Sequence, residues 1–346
     1  MPDSLVDLPT AQPNAAQPDA AQPKYQQLIE TILVGIEQGT LELGQQLPSI
    51  NEWASNQGVA KVTVAKAYED LRQRGVVRSQ HGKGFYVAST NVRTSLNVLM
   101  IFDTLNAYKE TLYDELKAAL PADASLSVFF HHYNPSVFES LIRNNLGRYN
   151  AYVVMPHFDN DVTDTVALIP ADKLLLLDQL LPNLPGDYSA VYQDFEQDIY
   201  QALTAAFEQL KLYSSLTLVQ SKDRFQYIPA ATLAGFQQFG QDHNFPCHIV
   251  DSYSDALVRA GEAFLFFADR DLVSFLKQVD RLGLRLGQEV GLLSYDDTPM
   301  KEILAGGISV ISTDFAQMGQ TAGRLLTSRQ REKIANPGGL IRRNSL

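Results

Sequence analysis

Cysteine is almost missing from this chain: Cys247 is the single one in 346 residues. A disulfide framework and a cysteine-rich zinc module are thereby excluded. No run approaches the roughly 18 apolar residues a membrane-spanning helix needs. Base is also scarce, since 28 Lys+Arg stand against 39 Asp+Glu for a formal charge of −11. Such a total argues against a nucleic-acid partner unless the deficit is unevenly spread. What is present, 45% hydrophobic and 19% charged residues, is ample for packed cores and excludes wholesale disorder. The length exceeds what one core usually reaches, about 250–300 residues, so two or three domains are expected.

The deficit is indeed uneven. Residues 1–23 carry Asp3, Asp7 and Asp19 and no base, whereas 24–89 carry seven bases and six acids. Within 60–83 the bases Lys61, Lys66, Arg72, Arg74, Arg78 and Lys83 face only Glu69 and Asp70. The remainder, from residue 90, holds the surplus of acid. A short basic run is by itself an ordinary solvated helix face, so pattern must decide its meaning.

Residues 1–23 repeat Ala-Gln-Pro three times, a proline density that disfavours helix and predicts a disordered tail. The tail lacks the basic start and apolar stretch of a signal peptide, so a cytoplasmic protein is expected. From residue 24 to 88 the text reads helix, helix, helix, hairpin. Leu28, Ile29, Ile32, Leu33 and Ile36 fall at helical spacing. Ser49 is the expected N-cap of a second helix, 50–57, with Trp53 and Ala54 inward. A third, 61–74, is expected to bury Val62, Ala65, Tyr68 and Leu71. Two short strands then flank Gly82-Lys83-Gly84. Three helices and a two-stranded wing define an α+β winged helix-turn-helix.

Residues 89–96 read as a linker. From 97 to 346 short apolar strands alternate with helices, the pattern of parallel sheets covered on both faces. Two doubly wound parallel sheets with ligands at the strand carboxyl ends make an α/β bilobal cleft of the periplasmic-binding-protein kind. Neither a P-loop, a G-x-S-x-G elbow, an H-E-x-x-H pair nor a glycine-rich dinucleotide fingerprint occurs, so no enzyme and no cofactor are expected.

The run Leu47-Pro48-Ser49-Ile50-Asn51-Glu52-Trp53-Ala54, then Gly58-Val59-Ala60-Lys61-Val62-Thr63-Val64-Ala65-Lys66-Ala67-Tyr68 and Gly82-Lys83-Gly84-Phe85-Tyr86-Val87, resembles the GntR-type DNA-binding domain. The resemblance implies that Ser49, Asn51, Lys61, Thr63, Lys66 and Lys83 meet double-stranded DNA. A recognition helix enters the major groove by its N-terminal end, where Lys61 and Thr63 sit. The family usually has Arg where Asn51 stands and Ser-Arg where Ala60-Lys61 stands. Lysine does not form the bidentate fork to guanine that arginine does.

The segments Ala263-Phe264-Leu265-Phe266-Phe267-Ala268-Asp269, Gly291-Leu292-Leu293-Ser294-Tyr295-Asp296-Asp297, Gly307-Ile308-Ser309-Val310-Ile311-Ser312-Thr313-Asp314-Phe315 and Leu340-Ile341-Arg342-Arg343-Asn344-Ser345 resemble the effector-binding core of LacI-type repressors. By that resemblance Asp296 and Asp178 are carboxylates for sugar hydroxyls, and Thr313 and Phe315 supply a polar contact and an aromatic wall. Two family ligand positions are unmet, at Thr232 and Ala268. Nearby candidates that follow strands are Phe102, Asp103, Tyr108, His132, His157 and Tyr227, with Arg224 and Gln226. Asp297 is expected to be structural, and His131-His132 is no metal signal, since neighbours on an extended segment point oppositely.

The expected function is a repressor or other regulator of transcription, a homodimer on a two-fold operator. Its DNA affinity is expected to answer by allostery to a small molecule, a monosaccharide in the leading reading. The alternative keeps DNA binding but gives the C-terminal domain to dimerisation or protein docking.

Overall fold

The computed structural model describes residues 23–80, 82–90, 96–220, 227–328 and 330–346. Most of the expected tail and linker, together with His81, Arg224 and Gln226, lie outside the described residues. The chain divides into two compact units between Thr94 and Ser95.

The first unit holds α1 (Lys24–Glu37), α2 (Ile50–Gln57), α3 (Lys61–Gln73) and an antiparallel pair, β1 (Val77–Gln80) and β2 (Gly84–Val87). Ser49 closes a capping box: its hydroxyl accepts from the Glu52 N–H at 3.2 Å, and Glu52 accepts from the Ser49 N–H at 2.7 Å. Gly58 ends α2 in the left-handed conformation at φ 59°. Tyr68 is the keystone of the core. Fully buried, it donates to the Pro48 carbonyl at 2.6 Å, meets Trp53 edge-on and lies 4.6 Å from the Phe85 ring. One expectation fails: Val62 is 74% exposed, and α3 buries Val64, Ala67, Tyr68 and Leu71 instead. A strict spacing of three drifts around a helix of 3.6 residues per turn, so the stripe runs i, i+3, i+4, i+7.

In the second unit β3 (Asn97–Phe102), α4 (Ala107–Ala119), β4 (Ser125–Phe130), α5 (Pro135–Asn145), β5 (Ala151–Val154), α6 (Thr163–Val166), β6 (Leu174–Asp178) and β7 (Ser189–Tyr192) build one lobe. The second lobe takes α7 (Phe195–Ala205), α8 (Phe207–Leu210), β8 (Leu216–Val219), α9 (Ala230–Asp242), β9 (Cys247–Val250), β10 (Ala263–Phe266), α10 (Asp269–Leu282), β11 (Gly291–Tyr295), α11 (Pro299–Ile303) and β12 (Ser309–Thr313). The helices expected over 160–168 and near 253–259 shrink to four residues and to a single 3-10 turn, Asp255–Leu257.

The chain then returns. Helix α12 (Phe315–Ser328) packs on α4, and β13 (Lys333–Ala335) joins β7 at the edge of the first sheet. Finally β14 (Gly338–Ile341) pairs antiparallel with β12 in the second sheet. The sheet orders are β13-β7-β6-β5-β3-β4, all parallel, and β14-β12-β11-β10-β8-β9, parallel but for β14. Both sheets are six-stranded and sheathed by helices, which is why their strands are continuous apolar runs.

Three backbone crossings therefore join the lobes: after β7, after β12 and after β13. Buried Asn336, on the third crossing, laces it to the other two, donating to Thr313 Oγ1 and the Asp314 carbonyl at 2.8 Å each, while its N–H donates to the Tyr192 carbonyl.

Candidate functional site

The carboxyl ends of β3, β5, β6 and β11 converge on one small enclosed cavity. Asp103, Tyr108, Tyr133, His157, Asp178, Gln193, Phe195, Tyr227, Pro229, Phe267, Tyr295, Asp296 and Phe315 line it. Of the residues singled out in the sequence, the cavity gathers Asp103, Tyr108, His157, Asp178, Tyr227, Asp296 and Phe315.

His157 sits at the centre. Its Nδ1 lies 2.8 Å from Asp103 Oδ2, and its Nε2 lies 2.8 Å from Asp178 Oδ2. Burial alone would strip the ring of its proton, but the two carboxylates outweigh that and hold its pKa at about 9. The imidazolium is therefore the resident form near neutral pH. Lys109, itself buried, pairs with Asp103 Oδ1. Against the opposing effect of burial, His157 and Lys109 hold the Asp103 carboxyl well below the ordinary carboxylate range. Gln193 donates to Asp178.

Asp296 differs from its neighbours. The cation beside it, Lys301, spends its ammonium on the carbonyls of Tyr295 and Asp296 at 2.8 Å each and on Asp269 at 3.2 Å. Burial first, and then the charge of Asp178, raise the Asp296 carboxyl to about 7 against the pull of Lys301. Both Asp178 and Asp296 end strands with positive φ, 71° and 59°. That left-handed conformation is costly for a side chain other than glycine, though aspartate tolerates it, and it recurs at ligand sites. Three stacked ring pairs wall the space: Tyr108 on Phe315 at 4.3 Å, Phe267 on Tyr295 at 4.6 Å and His157 on Tyr227 at 5.1 Å.

Three sequence candidates stand elsewhere. Phe102 is fully buried in the core between β3 and α12, because β3 is an interior strand covered on both faces. The first residue past the strand, Asp103, is the one that reaches the cavity. His132 is exposed at φ 49°, and Tyr133 takes its place in the lining. Thr313 is tied up at the crossing, donating to the Pro337 carbonyl at 3.1 Å and accepting from Asn336, and it faces an open groove of about 670 Å³. Asp297 forms a bidentate pair with Arg343 at 2.8 and 2.6 Å, a structural role. Sequence reasoning missed Lys109, Tyr133, Gln193, Phe267 and Tyr295. Only Tyr133, adjacent to the His131-His132 pair, carried a signal.

In the first unit Lys61, Asn51, Lys66, Lys83 and Ser49 are exposed and Thr63 is half-buried. No side chain caps α3, because Ala60 has none to offer. Of its first-turn N–H groups, that of Thr63 donates to the Ala60 carbonyl at 2.9 Å, which leaves those of Lys61 and Val62 to meet an anion. Lys66 lies 4.0 Å over the Tyr25 ring, Ser49 is spent on its capping box, and Arg72 and Arg74 pair with Glu69 and Asp70. Arg78 on β1, one of the basic residues of the 60–83 run, is exposed, as is Val62.

A winged helix-turn-helix and a two-lobed α/β domain with a polar cavity at its strand ends are the class that fold and site define. Residues 24–87 match the model of the bacterial regulatory proteins of the gntR family, and 213–345 match the periplasmic binding protein-like domain. The chain thus carries a GntR-type winged helix-turn-helix domain joined to a periplasmic-binding-protein-like domain. Over 72 residues it is 36% identical to the probable fructoselysine utilization operon transcriptional repressor of Escherichia coli (strain K12), covering 21% of this chain and 30% of that relative. It is 33% identical over 72 residues to the HTH-type transcriptional repressor YtrA of Bacillus subtilis (strain 168), covering 21% of this chain and 55% of the relative. The chain thus spans less than a third of the length of the first of these relatives. Among solved structures, the trehalose repressor from Escherichia coli superposes with a TM-score of 0.60 at 14% identity, covering 72% of this chain and 100% of that one. A LacI family transcriptional regulator from Enterococcus faecium, with bound ribose, gives 0.57 at 16%, covering 72% and 98%. At such identities the likeness is one of fold.

Proposed function

We propose that the protein is a transcription regulator that binds duplex DNA through α3 and the β1–β2 wing and adjusts its grip to a small molecule held between the two lobes. The observation that carries the reading is the joining, in one chain, of an uncapped recognition helix led by exposed Lys61 to a cleft of buried carboxylates and aromatic rings. Carboxylates at strand ends accept two hydroxyl hydrogen bonds at once, which suits a sugar. Asp296 and Asp178 are the anchors in this reading, Phe315 and Tyr227 the walls. A homodimer on a two-fold operator follows, since paired half-sites convert a change of lobe angle into a change of affinity. Selection from random duplexes at low salt, repeated with and without a sugar panel, tests it. Protein that ignores all duplexes at low salt would sink the DNA-binding half.

A second reading has its own observation. The cavity measures only about 30 Å³, against the 300–1,000 Å³ usual for ligand pockets. A sugar therefore enters only after the lobes part. If they do not part, the domain serves dimerisation or protein docking. Melting curves that stay flat across the panel while DNA binding persists would favour that alternative.

A further inference from the structure

Three carboxylates reach the cavity, and the protein supplies cations for two. Asp103 receives Lys109 and one nitrogen of His157; Asp178 receives the other nitrogen of His157 and the amide of Gln193. The ammonium of Lys301 is turned instead to two main-chain carbonyls and Asp269. Once Asp296 gives up its proton, at about pH 7 in the empty site, three carboxylates face Lys109 and His157 and the cavity is one positive charge short. A sugar hydroxyl would leave that imbalance buried, which is costly. An ammonium would cancel it.

The walls point the same way. Ring faces attract cations, and the attraction grows as water is excluded. The stacked pairs Tyr108–Phe315 and Phe267–Tyr295 flank the carboxylate. The cavity wall already holds one alkylammonium in this fashion, since Lys109 Nζ lies 5.3 Å from the Tyr108 ring centroid while paired with Asp103.

Resting on the reading of the cleft as an effector site, we propose that its ligand is an aminated polyol or sugar whose protonated amine sits on Asp296 between the aromatic pairs. The hydroxyls of such a ligand would then meet Asp178 and its neighbours. Asp296 faces Asp178, Lys109, Lys301 and Asp269 as charged groups, with the hydroxyls of Tyr108 and Tyr295. Burial and the charge of Asp178 let Asp296 keep a proton up to about pH 7 in the empty site. Seating an ammonium expels that proton.

The test is titration calorimetry on the full chain with matched probes: 1-amino-1-deoxyalditols against the parent alditols, and glucosamine against glucose. At pH 8 the amines should bind at least tenfold more tightly than their neutral partners. For the aminoalditols, whose alkylamine stays protonated throughout, the preference should shrink about tenfold at pH 6, where Asp296 is protonated. Proton release at pH 7 should appear as a dependence of heat on buffer ionisation. Asp296→Asn should erase the preference, with its melting curve and duplex binding showing that it folds. Neutral probes binding as tightly as amines, or an undiminished preference in D296N, would overturn the amine proposal while leaving the effector cleft standing. Silence of every probe, neutral and cationic, would overturn both.

Discussion

Tyr227 of the second lobe lies flat against His157 of the first, with ring centroids 5.1 Å apart, planes 19° from parallel, and the Tyr227 hydroxyl donating to the Phe158 carbonyl at 3.2 Å. Because His157 carries its proton near neutral pH, this is a cation against a ring face, and it bridges the two lobes. Such a contact is worth about 0.5–2 kcal/mol. Tyr227→Ala should therefore lower the melting temperature of the second unit by a few degrees, roughly 2–4 °C per kcal/mol for a domain of this size. Scanning calorimetry reads it. An unchanged melting point would mean the lobes are held shut by other contacts.

The folded pKa of His157 lies above its unfolded value of about 6.5. Its stabilisation is therefore complete below pH 6.5 and is lost as pH rises towards 9. Asp296 adds to the trend lower down: its carboxyl is raised in the fold, so ionising it between about pH 4 and 7 also costs stability. Stability should fall continuously from pH 5 to pH 9, by on the order of 2–3 kcal/mol across the His157 window, and melting curves read it as a falling melting temperature. His157→Gln should flatten the upper part of that slope and, by leaving Asp103 to Lys109 and Asp178 to Gln193 alone, weaken the fold most below pH 6.5, by about 3 kcal/mol.

On the DNA side, Lys61 and Lys66 should separate. Lys61 has no partner among the described residues at the uncapped start of α3, whereas Lys66 rests on Tyr25. Lys61→Ala should reduce the slope of log affinity against log salt by about one unit, as expected for one lost phosphate contact. Lys66→Ala should change it less. Equal losses in both variants would show that Lys66 leaves Tyr25 on binding.

Gly319 is packed where no side chain fits. A Cβ there would stand 2.4 Å from the Leu112 carbonyl oxygen, at the α12–α4 contact. Gly319→Ala should cost about 1–3 kcal/mol by overpacking, read by denaturant midpoint. The glycine is sterically required although its φ is ordinary, which is a demand of close helix approach rather than of backbone conformation.

Much of this architecture was legible in the text, and the reasons differ by element. The winged domain announces itself through punctuation: Ser49 before α2, Gly58 after it and glycines in the hairpin. Asp178 and Asp296 stand out through the resemblance to LacI-type repressors, and the fold does bring both strand ends to the cavity. Phe102 was misjudged by one residue, since the end of a doubly covered strand cannot be fixed more finely from apolarity alone. Thr313 was lost to Asn336, a partner 23 residues away that no local pattern reveals. Lys109 is the sharpest omission. A lysine in the first turn of a helix reads as solvated, and only the fold shows it pressed against a carboxylate six residues earlier.

The final helix and strand also govern how the protein is made. Residues 97–192 are synthesised first, yet the apolar face that α12 covers, among them Phe102, Leu112 and Leu116, has no cover until residues 315–328 emerge. Between the two lie more than a hundred residues of the other lobe, roughly 6–25 s of translation at 5–20 residues per second. Through that interval the first sheet has only α4 on the face that α12 later shares. The second lobe, too, must hold a place for β14. The first lobe is finished only when β13 arrives and the second only with β14, so a product cut before residue 315 has neither lobe complete.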